Sequence, residues 1–135
     1  MSSATSESNE KFRTLFENLA SGIATYSSTD GDHFFCSGMN RTGERMSGVR
    51  FQDIAGKEVR EVFPGVVGMG LYDLFRRAWA SGTAESLPTT YYDDQRMSRY
   101  YNNNVYKISE TEIAAVFDDV TTRKMAGDEL LRREA

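Results

Sequence analysis

The hydrophobic positions near the start of the chain follow a helical period. Residues 1–10 are polar and rich in serine, which predicts a disordered tail. After them, apolar side chains recur at the spacing i, i+3, i+4 and i+7, at Phe12, Leu15, Phe16 and Leu19. Ser21 and Gly22 then end the pattern. This segment is predicted to form a short amphipathic leader helix, whose apolar stripe must contact another surface.

Five runs of β-prone residues, separated by turn signals, predict five strands. The first two runs, 23–26 and 33–39, are joined by a tight turn at Asp30 and Gly31 and should form a hairpin. The last three runs cover 83–92, 96–108 and 112–118. Because their connections are short and polar, we expect these three strands to form an antiparallel meander.

The segment between the two groups of strands has a different character. Residues 40–70 hold six glycines and Pro64, which favours short helical turns around 41–46 and 57–63 over long elements. Such a segment can wrap a cavity. A longer helix is predicted next, from apolar residues at helical spacing that end at Ser81-Gly82: Leu71, Leu74, Phe75, Ala78 and Trp79. The order of elements predicts an α+β domain.

The last predicted strand runs directly into a charged tail, 122–135, with helical spacing. Its apolar residues are Met125, Ala126, Leu130 and Leu131, and no helix-ending signal follows them. Pairs four residues apart, such as Asp128 with Arg132, contribute roughly 0.2–0.5 kcal/mol each, whereas Gly127 costs about 1 kcal/mol relative to alanine. We therefore expect an exit helix that needs a partner, the same helix of a second copy in a homodimer. The alternatives are a solvated helix without a partner and a helix folded back on its own domain.

Composition narrows the possible functions. With 135 residues, 39% of them hydrophobic, the chain fits one domain. The net charge of -4, without a basic cluster among aromatic residues, does not favour a nucleic-acid partner. No apolar run approaches the roughly 18 residues of a membrane span, and the start does not resemble a signal peptide, so we expect a cytoplasmic protein without membrane contact. The single Cys36 and the single His33 have no companions at metal-ligand spacing, so no metal site is predicted.

Three further features carry a family resemblance. Asn40 follows the second predicted strand directly, Ile54-Ala55-Gly56-Lys57 precedes a short helix, and Asp119-Val120-Thr121 closes the last strand. Together with the leader stretch Phe12 to Leu19, these features resemble a PAS domain of the bacterial sensory-box type, over about 11–133.

The resemblance implies a five-stranded antiparallel sheet with short helices over one face and a pocket between them. The leader helix and domain would then occupy 11–121, and 122–135 would be the exit helix. The implied role is sensing or dimerisation upstream of an effector that is absent here, such as a histidine kinase or a cyclic-dinucleotide enzyme, with no catalysis by the domain itself. The effector would be covalently linked.

The resemblance also assigns a signal-transmission role to Asn40, Asp119 and Thr121. Carboxylate and hydroxyl oxygens at the start of a helix can accept hydrogen bonds from its free N–H groups, and Asp118 is a further candidate for this cap. Such bonds would fix the angle at which the exit helix leaves the sheet. Any shift of the last strand would then redirect the helix.

The predicted cavity has apolar and polar candidates. Its apolar lining is expected from Met39, Met46, Ile54, Phe63, Leu74, Phe75 and Phe117. If Tyr91, Arg99 and Tyr101 point inward, they would offer a cation and phenolic hydroxyls to a small organic acid or aromatic ligand. Strand alternation requires that either Tyr100 or Tyr101 faces the helices, and the sequence leaves open which of the two does. The alternative is that these tyrosines pack the sheet and its outer face.

Haem and flavin are both disfavoured, and the ligand is unknown. His33 lies beside a turn, whereas haem-binding relatives carry their iron ligand on the longer helix. Cys36 lies in a strand, and the cysteine-centred motif of light-sensing relatives is absent from the short-helix region. Asp93 and Asp94 occupy a turn. Two rival functions stay open: a ligand-free dimerisation spacer, and a small α+β enzyme with a curved-sheet pocket, which the single badly placed histidine disfavours.

Overall fold

The computed structural model describes residues 3–134 of the protein, with side chains from 7 to 131. Five strands and seven helices form this part of the chain. The strands are β1 Gly22–Ser27, β2 Phe35–Met39, β3 Glu85–Asp93, β4 Ser98–Lys107 and β5 Glu112–Asp119. The helices are α1 Ser3–Asn18, α2 Arg41–Ser47, α3 Phe51–Ile54, α4 Val59–Val62, α5 Gly65–Gly68, α6 Leu71–Ser81 and α7 Thr121–Glu134.

The five strands form one antiparallel sheet in the order β2-β1-β5-β4-β3. The short helices and α6 cover one face, which we call the inner face. Along β4, residues 101, 103 and 105 are buried on this face, while 100, 102 and 104 are half-buried on the outer face. The core lies between the inner face and α6, and its fully enclosed side chains include Phe34, Val59, Leu74, Phe75, Val105 and Ile113. The predicted α+β class and the antiparallel arrangement are confirmed.

Three strands, β2, β3 and β4, each begin two residues later than the sequence predicted, and aspartate side chains hold the turns before β2 and β4. The Asp30 carboxylate accepts the backbone N–H groups of Asp32 and His33, both at 2.9 Å, so β2 begins only at Phe35. The Asp94 carboxylate likewise accepts backbone N–H groups at the start of the expected 96–108 strand, and β4 begins at Ser98. Aspartates that bond the backbone a few residues ahead are typical of such turns.

The two ends of the domain also differ from expectation. The sequence predicted a disordered tail over 1–10, but α1 begins at Ser3. The prediction rested on the polar, serine-rich composition of this segment, whereas Glu7, Glu10 and Lys11 are good helix formers that extend a helix without an apolar face. The exit helix begins at Thr121, one residue earlier than expected, and Met1, Ser2 and Ala135 lie outside the described residues. None of the described helices has both the length and the apolar character needed to cross a bilayer.

Candidate functional site

The junction between the sheet and α7 is held by backbone and side-chain hydrogen bonds to β4. The N–H of Tyr100 donates to the Thr121 hydroxyl, and the N–H of Val120 donates to the Tyr100 carbonyl, both at 2.9 Å. The Asp119 carboxylate accepts the N–H of Thr121 at 2.9 Å, as a helix cap does. Its second oxygen lies 3.6 Å from the Arg99 guanidinium. The first turn of α7 is therefore bonded to the strand beside the one from which it emerges.

Beyond this junction, α7 leaves its apolar side chains uncovered. Met125, Leu130 and Leu131 are 58%, 56% and 65% exposed. The Lys124 ammonium lies 3.0 Å from the Asp128 carboxylate and 5.9 Å from the centre of the Tyr100 ring, which keeps the first turns near β4. The helix is thus anchored at its base, while its three large apolar side chains are open to solvent.

Asn40 joins the leader helix to the sheet. Its fully buried side-chain oxygen accepts the N–H groups of Ile23, at 2.9 Å, and Gly43, at 2.8 Å. Its amide nitrogen donates to the carbonyls of Phe16, at 2.8 Å, and Ser21, at 3.1 Å. One side chain therefore ties α1, β1 and α2 together, and all its hydrogen-bonding groups are used.

The leader and exit helices meet at adjacent strands. The Ser21 hydroxyl, in the turn after α1, donates to the Asp118 carboxylate at 2.8 Å. Asp118 was a candidate cap for α7, but it serves this turn instead, because alternate residues of β5 face opposite sides of the sheet. The Thr42 hydroxyl donates to the Leu19 carbonyl at 2.7 Å and helps to close the end of α1. The turn that follows α1 is thereby hydrogen-bonded to the end of β5.

A cavity of about 60 Å³ lies between the inner face and the short helices. Most of its wall is apolar, with a few hydroxyl and amide groups. Its lining residues are Tyr26, Met39, Ser47, Phe63, Val66, Met69, Leu71, Tyr92, Met97, Tyr101, Asn103, Ala115 and Phe117. None of them carries a formal charge at neutral pH.

Four of the ten residues predicted for the cavity line it: Met39, Phe63, Tyr101 and Phe117. Ile54, Leu74 and Phe75 are buried in the core without reaching it, and Met46 is half-buried away from it. Cavity and core draw on the same apolar residue types, so sequence pattern cannot separate them.

The expected cationic pocket is not formed. Tyr91 is 46% exposed and its ring lies 5.1 Å from that of Tyr100 on the outer face. Arg99 has a half-exposed side chain at the end of β4, where it approaches Asp119. The irregular pairing of β3 and β4 between Leu87 and Thr90 shifts the register, and Tyr92 is the tyrosine of β3 that lines the cavity.

The hydroxyl groups around the cavity stay protonated at neutral pH. Burial, with a contribution from the charge of Asp119, raises the pKa of Tyr101 to about 12. Burial also raises the pKa of Tyr26, and burial together with a hydrogen bond to Asp94 raises the pKa of Tyr92. The cavity is therefore an uncharged environment.

Sequence reasoning missed the most polar residue in the wall, Asn103. The run Asn102-Asn103-Asn104 lies in β4, and strand alternation turns only its middle residue inward. A signal was present, because a strand rarely carries three asparagines in succession, and asparagine is depleted in strands. The register that decides which one is buried was not readable.

The sheet order, the covering helices and the Asp119-Val120-Thr121 junction define the class of protein. The family model described as the PAS fold matches residues 16–125, and the chain belongs to this family. No protein among the curated proteins matches the sequence.

Several solved structures share the fold. One is an RNA-binding light-oxygen-voltage receptor, with a TM-score of 0.74 and 16% identity, where the match covers 99% of this chain and 40% of the receptor. The chain thus spans about two fifths of that receptor. Another is a domain of the sensory box sensor histidine kinase/response regulator from Geobacter sulfurreducens, with a TM-score of 0.65, 13% identity, and coverage of 85% and 96%.

A third is the photoactive yellow protein domain from the sensor histidine kinase Ppr of Rhodospirillum centenum. Its TM-score is 0.63 at 17% identity, and the match covers 78% of this chain and 91% of that domain. At these identities the likeness concerns the fold.

Proposed function

We propose that this domain is a sensory and dimerisation module that relays its conformational state through α7 to a linked effector such as a histidine kinase. The similar folds in sensor histidine kinases support this assignment. One observation carries it: α7 is fixed to the sheet at Val120 and Thr121 while its apolar residues remain uncovered. A helix held only at its base can pass a movement of the sheet to whatever packs along its length.

The partner along that length is the same helix of a second copy. Six of the exposed large apolar residues lie on or directly beside the two terminal helices: Phe12 and Leu15 on α1, Leu19 just after it, and Met125, Leu130 and Leu131 on α7. Each leucine removed from water contributes about 1.5–3 kcal/mol. An isolated helix as short as α7 is marginal in water, so pairing stabilises it.

Sedimentation velocity over micromolar to high-micromolar protein tests this assembly. The double variant Leu130→Gln/Leu131→Gln should weaken self-association at least about tenfold, because it removes two buried leucines from the proposed contact. It should leave the thermal stability of the domain nearly unchanged, since both residues are exposed in the monomer.

The matched control changes two equally exposed apolar residues outside α1 and α7. Val67 and Ile108 are each 53% exposed, and the variant Val67→Gln/Ile108→Gln should dimerise like the wild type. A wild-type protein that stays monomeric throughout the range, or equal effects of the two double variants, would refute the proposal.

A ligand-free dimerisation spacer is the second candidate, and the cavity volume favours it. Sites for drug-sized ligands and cofactors occupy roughly 300–1,000 Å³, whereas this cavity measures about 60 Å³. A flavin or haem does not fit that space. Native mass spectrometry of the freshly purified protein tests the spacer, because a small molecule retained in the protein would contradict it.

We also propose that the domain catalyses no reaction by itself. A curved-sheet enzyme would need an acid or base inside the pocket, and no charged residue or histidine lines the cavity described here. His33 instead pairs with the Asp30 carboxylate at 2.8 Å, where both side chains are half exposed.

A further inference from the structure

The amide of Asn103 lies in the cavity wall without a protein partner. The residue is only 4% exposed and borders the cavity. Its side chain makes no hydrogen bond to any residue from 7 to 131, although every fully enclosed side-chain nitrogen and oxygen in that part of the chain has a partner. The Asn103 amide therefore faces open space, and the open space next to it is the cavity.

The neighbours of Asn103 explain why the amide is unpaired. In the sheet register it stands between Phe117 of β5 and Leu87 of β3, and neither side chain can donate or accept a hydrogen bond. Its sequence neighbours on the outer face are both satisfied, Asn102 by the Thr89 hydroxyl at 3.1 Å and Asn104 by the Ser86 hydroxyl at 2.7 Å. The inward asparagine is the exception in the run.

Two further polar groups and three flexible ones surround the same space. The hydroxyls of Tyr26 and Tyr101 make no side-chain hydrogen bond within residues 7–131. Met39, Met69 and Met97 also line the cavity, and methionine side chains adapt to irregular shapes better than branched ones. Burying an amide and hydroxyls without partners costs free energy unless something in the cavity pairs with them.

We propose that the cavity binds a small uncharged molecule of about five non-hydrogen atoms, with an apolar body and one carbonyl or hydroxyl group that pairs with Asn103. This inference rests on the proposed sensory role. Roughly 10–15 Å³ of cavity holds one water-sized group, so 60 Å³ holds about four to six. Charged ligands are excluded, because no lining residue can neutralise a buried carboxylate.

The experiment uses three probes of five non-hydrogen atoms each: butan-2-one, cyclopentane and propionate. Each is titrated into ¹⁵N-labelled protein at neutral pH, and NMR follows the side-chain amide signals of Asn103. Butan-2-one should shift these signals saturably at millimolar concentration. Propionate should bind at least tenfold more weakly than the ketone, because it must lose its hydration without gaining a counter-charge.

The variant Asn103→Leu should weaken butan-2-one binding about tenfold, followed through backbone amides around the cavity, while cyclopentane binds as well as before or better. The matched control is Asn104→Leu, the same substitution one residue away on the outer face, which should not change the affinity for the ketone. The fold tolerates Asn103→Leu, since the amide has no protein partner to lose.

Three results would overturn the inference. They are the absence of a saturable shift of the Asn103 amide with butan-2-one, propionate binding as tightly as the ketone, and an unchanged ketone affinity in Asn103→Leu. Sedimentation of the same samples separates the two proposals. If the protein dimerises but binds no ketone, only the ligand inference fails, whereas a protein that is always monomeric contradicts the dimerisation proposal itself.

Discussion

Two buried asparagines lie in contrasting surroundings. One is fully hydrogen-bonded within the fold, and the other borders the cavity without a side-chain hydrogen bond to the described residues. Asn40 is fully buried and makes four hydrogen bonds, to Phe16, Ser21, Ile23 and Gly43. Asn103 is almost as deeply buried and makes no side-chain hydrogen bond to the described residues. The same type of side chain therefore connects elements of the fold in one place and leaves its hydrogen-bonding groups available to a ligand in the other.

The difference follows from what surrounds each residue. Asn40 stands where a strand ends and helix α2 begins, so free backbone N–H and carbonyl groups lie within reach. Asn103 stands in the middle of a strand whose backbone groups are already paired with the neighbouring strands. Buried polar side chains at element ends are satisfied by the fold itself, whereas one that faces a cavity needs an added partner.

The largest effect is expected from Asn40→Ala. The substitution removes the partner of two backbone N–H groups and two carbonyls, of which Gly43 is buried and the others partly buried, and each unpaired buried group costs about 1–3 kcal/mol. Allowing for local relaxation, the free energy of unfolding should fall by about 3–4 kcal/mol. Urea denaturation followed by circular dichroism measures it.

Asn40→Asp sharpens this test, because the carboxylate can still accept from Ile23 and Gly43 but cannot donate to Phe16 and Ser21. The free energy of unfolding should fall less in Asn40→Asp than in Asn40→Ala, but more than in Asn102→Ala. The variant Asn102→Ala removes one hydrogen bond on the outer face and should cost about 0.5–1.5 kcal/mol. If Asn40→Ala and Asn102→Ala lower the free energy of unfolding equally, the four hydrogen bonds of Asn40 do not stabilise the connection between α1, β1 and α2.

The two asparagines were also unequally predictable. Asn40 was assigned to signal transmission through the family resemblance, which used its place directly after the second predicted strand, a local feature of the sequence. The sheet, the helix α6 and the exit junction were predictable for the same reason. Apolar residues that recur every two residues in strands and every 3.6 residues in helices, together with the turn residues, can be recognised within a short segment of sequence. No local sequence signal of this kind indicates that Asn103 is buried.

Its burial depends on register, and register depends on long-range pairing. A one-residue slip would turn Asn103 outward and both Asn102 and Asn104 inward. The sequence could not choose between Tyr100 and Tyr101 for this reason, and the irregular pairing near Leu87 and Thr90 then placed Tyr92 at the cavity instead of Tyr91. Cavity volume is harder still, because it is what remains after all the side chains have packed.

An effect of opposite sign is expected from Asn103→Leu in ligand-free protein. Leucine has a similar size, adds apolar surface and removes an unpaired buried amide, so the free energy of unfolding should rise by about 1 kcal/mol. The same urea titration measures it, with Asn104→Leu as the control, which loses its bond to Ser86 and should not gain stability. A loss of stability in Asn103→Leu would mean that the amide already has a structural role.

The smallest effect on global stability is expected from Thr121→Val. This variant tests a polar side chain that, like Asn40, is hydrogen-bonded within the fold, here at the exit junction. Valine keeps the shape of threonine but removes the hydroxyl that accepts the N–H of Tyr100 at 2.9 Å. The bond between Val120 and the Tyr100 carbonyl remains, so unfolding should become easier by only about 0.5–1 kcal/mol. The local effect is larger, because α7 is fixed to β4 mainly through these two bonds, and its amides should exchange with deuterium severalfold faster.

The neighbouring Thr122→Val separates this local effect from a general change in helix propensity. Thr122 is exposed, makes no side-chain hydrogen bond in the described chain and accepts the same replacement one position along α7. Exchange mass spectrometry should find wild-type protection of α7 in Thr122→Val and weaker protection in Thr121→Val. Equal protection in the two variants would show that the buried Val120 and its backbone bond anchor the helix alone. The sheet and the exit helix would then be coupled only through the continuous backbone and Val120, without a contribution from the threonine hydroxyl.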